Sequence, residues 1–193
     1  MGGGGRLTAY QHQCLLAALG LYPANAIDGI WGEKSRTAAR ALQSRMGLTA
    51  DGAVGDETEK ALLRCLEEGL PEPPEGEFWK ELRYWNREEF RCKCGGKYCS
   101  GFPAEPSETL VRLAEDTRAH FGRPAHASSG LRCPEHNRRE GGVENSRHLW
   151  GKALDFRVEG TSGQEVLSYV KADKRTRYAY IIGRGPYVHV DVE

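Results

Sequence analysis

Between residues 7 and 66 the chain repeats itself. Ile27-Asp-Gly-Ile-Trp-Gly32 and the run after it to Leu42 are echoed, 23 residues on, by Ala50-Asp-Gly-Ala-Val-Gly55 and a run to Leu63. Each copy opens on Asp-Gly, where glycine takes positive φ in a turn, and then continues with helical spacing. Acidic residues after the second glycine (Glu33; Asp56 and Glu57) fall in a first helical turn, where they oppose the helix dipole favourably. Apolar spacing predicts three helices, with stripes at Leu7, Tyr10, Cys14, Ala18 and Leu21, at Ala38, Ala41, Leu42 and Arg45 with Met46, and at Thr58, Leu62, Cys65 and Leu66. The sequence therefore predicts a small three-helix all-α bundle with a modest core. Gly69-Leu-Pro71-Glu-Pro73-Pro74-Glu-Gly76 then ends all periodicity. The expected organisation is a helical domain over 1–70, a linker over 71–77 and a second domain over 78–193.

The second half mixes short strands and helices, the pattern of an α+β domain. Leu110 to Phe121, capped by Ser107 and ended by Gly122, reads as an amphipathic helix, and Gln164 to Val170 as another. Ala125–Ser129, Lys152–Val158, Tyr178–Ile182 and Tyr187–Val192 read as strands. Phe78 to Trp85 stays ambiguous between strand and short helix.

Lys plus Arg and Asp plus Glu are balanced at 27 each, which argues against a protein that tracks nucleic-acid backbone, and no apolar run approaches a membrane span or a signal peptide. Cut at residue 75, seven basic residues face ten acidic ones before the cut and twenty face seventeen after it. The second half is thus mildly basic, which suits a ligand carrying carboxylates. Six cysteines are many for a chain of 193 residues. They are compatible with a disulfide framework, a second, structural zinc held by Cys92-x-Cys94 with Cys99 and Cys133, or buried free thiols. The Cys-x-Cys spacing is tight for a zinc knuckle and the gap from Cys99 to Cys133 is long, so disulfides are the favoured expectation, tested first as Cys94–Cys133, Cys92–Cys99 and Cys14–Cys65. A bridge from Cys14 to Cys65 would add about 2–4 kcal/mol to the small bundle; the alternative is that both are buried small hydrophobes.

One constellation carries chemistry. His148 lies in a polar, glycine-flanked loop, Asp155 on the following strand, and His189 and Asp191 on the last strand. A period of two places Tyr187, His189, Asp191 and Glu193 on one face and Val188, Val190 and Val192 on the other. Two imidazoles and a carboxylate can hold one zinc ion with a coordination position left open. Read singly, His148 is a surface histidine and the His-Val-Asp triplet a cross-strand pair; only together do they suggest a metal. His12, His120, His126 and His136 lack such company. Arg132, beside Cys133, has the planar fork that suits a carboxylate or a developing oxyanion.

These residues carry a resemblance. Ser129-Gly-Leu-Arg132-Cys-Pro-Glu-His-Asn137, Gly141-Gly142, Asn145-Ser-Arg-His148-Leu-x-Gly151-x-Ala153-x-Asp155 and Tyr187-Val-His189-Val-Asp191 resemble the zinc D-Ala-D-Ala carboxypeptidase and L-alanyl-D-glutamate endopeptidase family, whose fold is shared with hedgehog domains. Phe90-x-Cys92-x-Cys94-Gly-Gly-x-Tyr98-Cys99 looks like the entry segment of phage-associated members. The first domain resembles the peptidoglycan-binding module of wall hydrolases through its Asp-Gly-x-x-Gly copies.

The resemblance implies a zinc peptidase domain of hedgehog type, with one catalytic Zn2+ on His148, Asp155 and His189 and with Arg132 as substrate anchor or carbonyl polariser. Several relatives carry the acid/base carboxylate three residues before the last histidine, where this chain has Pro186. Asp191 is then the expected base, the alternative being that it orients the ring of His189, with Glu193 its substitute as base and Tyr187 a hydrogen-bond donor to the oxyanion. The implied partner is bacterial peptidoglycan, met by a monomer that is made in the bacterial cytoplasm and released at lysis, as a phage endolysin is, or exported by another route. The alternative is a wall-binding protein that keeps a structural zinc without catalysis.

Overall fold

A computed structural model describes residues 6–72 and 74–193; the glycine-rich start and Pro73 lie outside them. The chain divides between Pro74 and Glu75 into two compact units, within the stretch expected as linker.

The first unit holds α1 (Ala9–Ala18), α2 (Glu33–Arg45) and α3 (Asp56–Glu68), with a 3-10 turn at Ala24–Ala26 between the first two. Thr8 caps α1 in a capping box with Gln11. Leu16, Tyr22, Ala38, Leu42, Leu62 and Cys65 form the core. The stripe expected on α1 is corrected: Tyr10 is 56% exposed, and His12, Gln13 and Leu16 are the buried residues. The reason is Gln13, a polar side chain turned inward to hold the first Asp-Gly turn. Its Oε1 accepts from the backbone N–H of Asp28 (3.1 Å) and Gly29 (2.7 Å), and its Nε2 donates to Asp28, Ile30 and Ser35. Gln43 treats the second turn alike, accepting from the Gly52 N–H (2.9 Å) and donating to Asp51, Ala53 and Thr58. Gly29 and Gly52 sit at φ 78° and 80°, as the turn requires.

The second unit is a four-stranded antiparallel sheet in the order β1-β2-β4-β3, with β1 (Ala125–Ser129), β2 (Ala153–Val158), β3 (Thr176–Ile181) and β4 (Val188–Val192). α4 (Glu108–Phe121) and α6 (Gly163–Ala172) cover one face, where Leu154, Phe156, Val188, Val190 and Val192 are buried against them. Gly122, at φ 60°, ends α4 in the left-handed conformation. Phe78–Trp85 resolves as a 3-10 turn, Glu77–Glu81, and an irregular segment. Two elements absent from the expectation, α5 (Pro134–Arg139) and a 3-10 turn at Arg147–Trp150, carry the chain from β1 to β2. No helix among the described residues is long and apolar enough to cross a membrane.

The cysteine pairing is also corrected. None of the six cysteines is in a disulfide. Cys65 Sγ lies 3.4 Å from Met46 Sδ, so it packs as a small hydrophobe within the bundle. Cys92, Cys94, Cys99 and Cys133 come to one point, each sulfur within 4.8 Å of the others, and so do not separate into two pairs.

Candidate metal centre

The face of the sheet turned away from α4 and α6 gathers the polar residues. In the β2–β4 ladder Asp155 stands directly opposite His189 and Ala153 opposite Asp191. The side-chain alternation that buries the valines therefore brings a carboxylate and an imidazole together across two central strands. His148 arrives on the 3-10 turn, which lies against β2. One ligand atom from each of His148, Asp155 and His189 lies within 4.8 Å of the others, and all three residues are buried.

The hydrogen bonds decide how these groups point. His148 Nδ1 lies 2.6 Å from the carbonyl oxygen of Gly130. A carbonyl only accepts, so Nδ1 carries the proton and donates it, leaving the Nε2 lone pair directed inward. Nε2 is 3.3 Å from Asp155 Oδ1. A lone pair facing a carboxylate oxygen is favourable only when a second proton or a metal ion stands between them. His189 Nδ1 is 2.7 Å from the same Oδ1. Ligands at about 2.0–2.2 Å from a tetrahedral zinc lie roughly 3.3 Å apart, so the donor set fits such an ion once His189 moves by about 0.6 Å.

Burial by itself would raise the Asp155 carboxyl. Hydrogen bonds and charge from His148 and His189 outweigh it and hold the group well below the usual carboxylate range. Arg132 Nη2 donates to Asp155 Oδ2 (2.9 Å) and Nε to Ser129 Oγ (2.8 Å). Arg132 thus orients the carboxylate from behind, which the expectation of a simple substrate anchor did not include. Its Nη1 has no partner among the described residues.

Asp191 is buried, with Oδ2 3.6 Å from His189 Nε2 and Oδ1 3.1 Å from Arg177 Nη1. Glu193 points to solvent, its side chain 82% exposed, in ion pairs with Arg147 and Arg177. Tyr187 sets its ring against Arg157, 6.0 Å from the guanidinium carbon. Pro186 offers no acidic group near the last histidine.

Four contributors were absent from the expected set. Gly130 gives the carbonyl that fixes His148, and Ser129 supports Arg132. Tyr180 lies opposite His189 on β3, with ring centroids 4.8 Å apart. Burial first, and then the Asp155 charge, push its phenol up from the ordinary value. Arg177 reaches Asp191 because the β3–β4 register shifts between Thr176 and Tyr178. The signals for them in the sequence were the Ser129-Gly-Leu-Arg132 motif, which gave no role to Ser129 or Gly130, and the alternation of Tyr178 and Tyr180 along a strand.

The family profile of peptidase M15 matches residues 83–191, and that of a peptidoglycan binding domain matches residues 9–62. The chain is 28% identical over 167 residues to the zinc D-Ala-D-Ala carboxypeptidase of Streptomyces albus G, a match that covers 86% of this chain and 62% of that protein.

Proposed function

Because the chain belongs to the peptidase M15 family, we propose that it is a zinc-dependent hydrolase of an amide bond in the stem peptides of bacterial peptidoglycan. The observation that carries this reading is the convergence of the His148 Nε2 lone pair, the Asp155 carboxylate and His189 Nδ1 in a buried pocket whose tautomer is fixed by Gly130. A zinc ion held by these three residues would polarise the scissile carbonyl and lower the pKa of a water beside it.

The chain's own groups do the rest. Asp191, whose carboxylate lies 3.6 Å from His189 Nε2 on the ring edge away from Nδ1, takes the proton of the attacking water through one intervening water and passes it to the leaving amine. Arg132 keeps Asp155 ionised and aimed, and its Nη1 takes up a substrate carboxylate or carbonyl. Tyr180, close to His189, and Tyr187 are the available hydroxyl donors for the oxyanion.

The α+β unit is read as a hedgehog-type peptidase fold, and the first unit as the three-helix module that holds the wall. In the latter a cleft lined by His12, Trp31, Arg36, Asp51 and Val54 offers an aromatic ring beside charges of both signs. The name of the Streptomyces relative favours the D-Ala-D-Ala bond over L-Ala-D-Glu. Pro186 is the feature that favours the binding-only alternative, and the buried carboxylate of Asp191 beside His189 supports the catalytic reading against it.

Mass spectrometry of purified peptidoglycan after digestion, with and without a chelator, tests the proposal. New carboxyl and amino termini that vanish with the chelator are expected. Released reducing sugar, or binding without cleavage by protein of full zinc content, overturns it.

A further inference from the structure

We propose that Cys92, Cys94, Cys99 and Cys133 form a second metal site, a tetrathiolate that binds one structural zinc ion and fastens the loop on which the His148 pocket depends. Four sulfurs from two distant stretches lie within 4.8 Å of one another. Cys94 Sγ and Cys99 Sγ are 3.5 Å apart. A disulfide holds its sulfurs at about 2.05 Å, whereas sulfurs bound at about 2.3 Å to a tetrahedral zinc lie roughly 3.8 Å apart. The arrangement has the dimensions of the second.

The backbone is shaped to deliver the four thiols. Gly95 and Gly96 both take positive φ, 64° and 79°. A Cβ on either would meet nothing within 4 Å, so conformation and not crowding selects glycine there. These two residues, with the Lys97 N–H bonded to the Cys94 carbonyl at 3.3 Å, reverse the chain so that Cys99 faces Cys94. Cys133 caps the start of α5 ahead of Pro134, and its backbone N–H points at Cys92 Sγ from 3.3 Å. Donation from N–H to sulfur favours the thiolate, the form that binds metal. Phe102 and Leu131 are buried beside the cluster, with Tyr98 packed partly against it, which shields Cys92, Cys94 and Cys133 from water and leaves Cys99 partly exposed.

Such an ion would serve the catalytic pocket through three bonds. Leu131 N–H donates to the Phe90 carbonyl (2.7 Å), tying the loop after β1 to the segment that leads into Cys92. The next residue, Arg132, donates its N–H to the His148 carbonyl (3.0 Å), and Gly130 on the other side accepts from His148 Nδ1 (2.6 Å). The tetrathiolate would hold residues 130–133 in register with His148, in a segment made of turns.

Metal analysis of protein purified under reducing conditions with ample zinc separates this site from the catalytic one. Wild-type protein is expected to hold two zinc ions per chain. The Cys99→Ser variant, changed at the most accessible of the four sulfurs, should keep one, and His148→Ala with His189→Ala should keep the other. In case the cysteine variant fails to fold, wild-type protein loaded with cobalt(II) is read as well: strong thiolate-to-cobalt charge-transfer absorption is expected, unchanged by the two histidine substitutions. A single zinc in wild-type protein that is retained by Cys99→Ser, cobalt spectra without thiolate bands, or two disulfides among these four cysteines in a non-reduced peptide map would each overturn the site. None of those results would touch the catalytic reading.

Discussion

Replacing Asp191 by asparagine separates chemistry from architecture. Asn keeps the size and one acceptor oxygen of the side chain but is no longer a base. The ion pair with Arg177 is lost, yet that guanidinium is 43% exposed, and half-solvated pairs contribute at most about 1 kcal/mol. His148, Asp155 and His189 are unchanged, so the catalytic zinc should be retained. The rate should fall by the contribution of a positioned general base, about 10²–10⁴-fold, or about 3–5 kcal/mol in barrier height. The measurement is release of new amino termini from purified walls, alongside metal content and a thermal melt. Glu193→Gln, at a side chain 82% exposed, is the control and should stay within a few-fold of wild type. A slowing of less than tenfold in Asp191→Asn with zinc intact, or a large one in Glu193→Gln, would refute the assignment of the base.

Three further outcomes can be checked. Arg132→Ala leaves Asp155 Oδ2 without its donor, so zinc affinity at the histidine site should fall about 10–100-fold, measured by competition with a chromogenic chelator. Gly130→Ala would bring a Cβ to 2.5 Å from the Phe90 carbonyl oxygen, where backbone cannot yield; the loop must move, and zinc loading should drop although no ligand is altered. Gln43→Ala removes the hub of the second Asp-Gly turn and strands the Gly52 N–H. It should lower the stability of the first unit by about 2–3 kcal/mol, on the scale of unsatisfied buried polar groups. Wall binding should weaken while hydrolysis of a small soluble peptide stays unchanged.

The elements most visible in the sequence were those whose periodicity is enforced by one buried face. Val188, Val190 and Val192 alternate with His189 and Asp191, so both the strand and the face that carries its polar side chains are legible in the sequence. The same holds for Leu154 and Phe156 around Asp155. What escaped was set by contacts distant in sequence. Gln13 and Gln43 look like surface residues until the turns they hold are seen, and α1 was given the wrong inner face for that reason. The bulge that turns Arg177 toward Asp191 follows from strand pairing, and the Gly130 carbonyl has no side chain to mark it. The cysteines misled because spacing along a chain says little about distance when Gly95 and Gly96 reverse it and a whole strand intervenes before Cys133.

The strand order β1-β2-β4-β3 has a consequence for how the molecule comes into being. β4, translated after the other three, is the one that lies between β2 and β3, so a nascent chain that has not yet exposed residues 188–192 has a β1-β2 pair and an unpaired β3, and lacks one of its three proposed ligands. Under the proposed function, hydrolytic competence would then wait for β4 to pair with both of its neighbours.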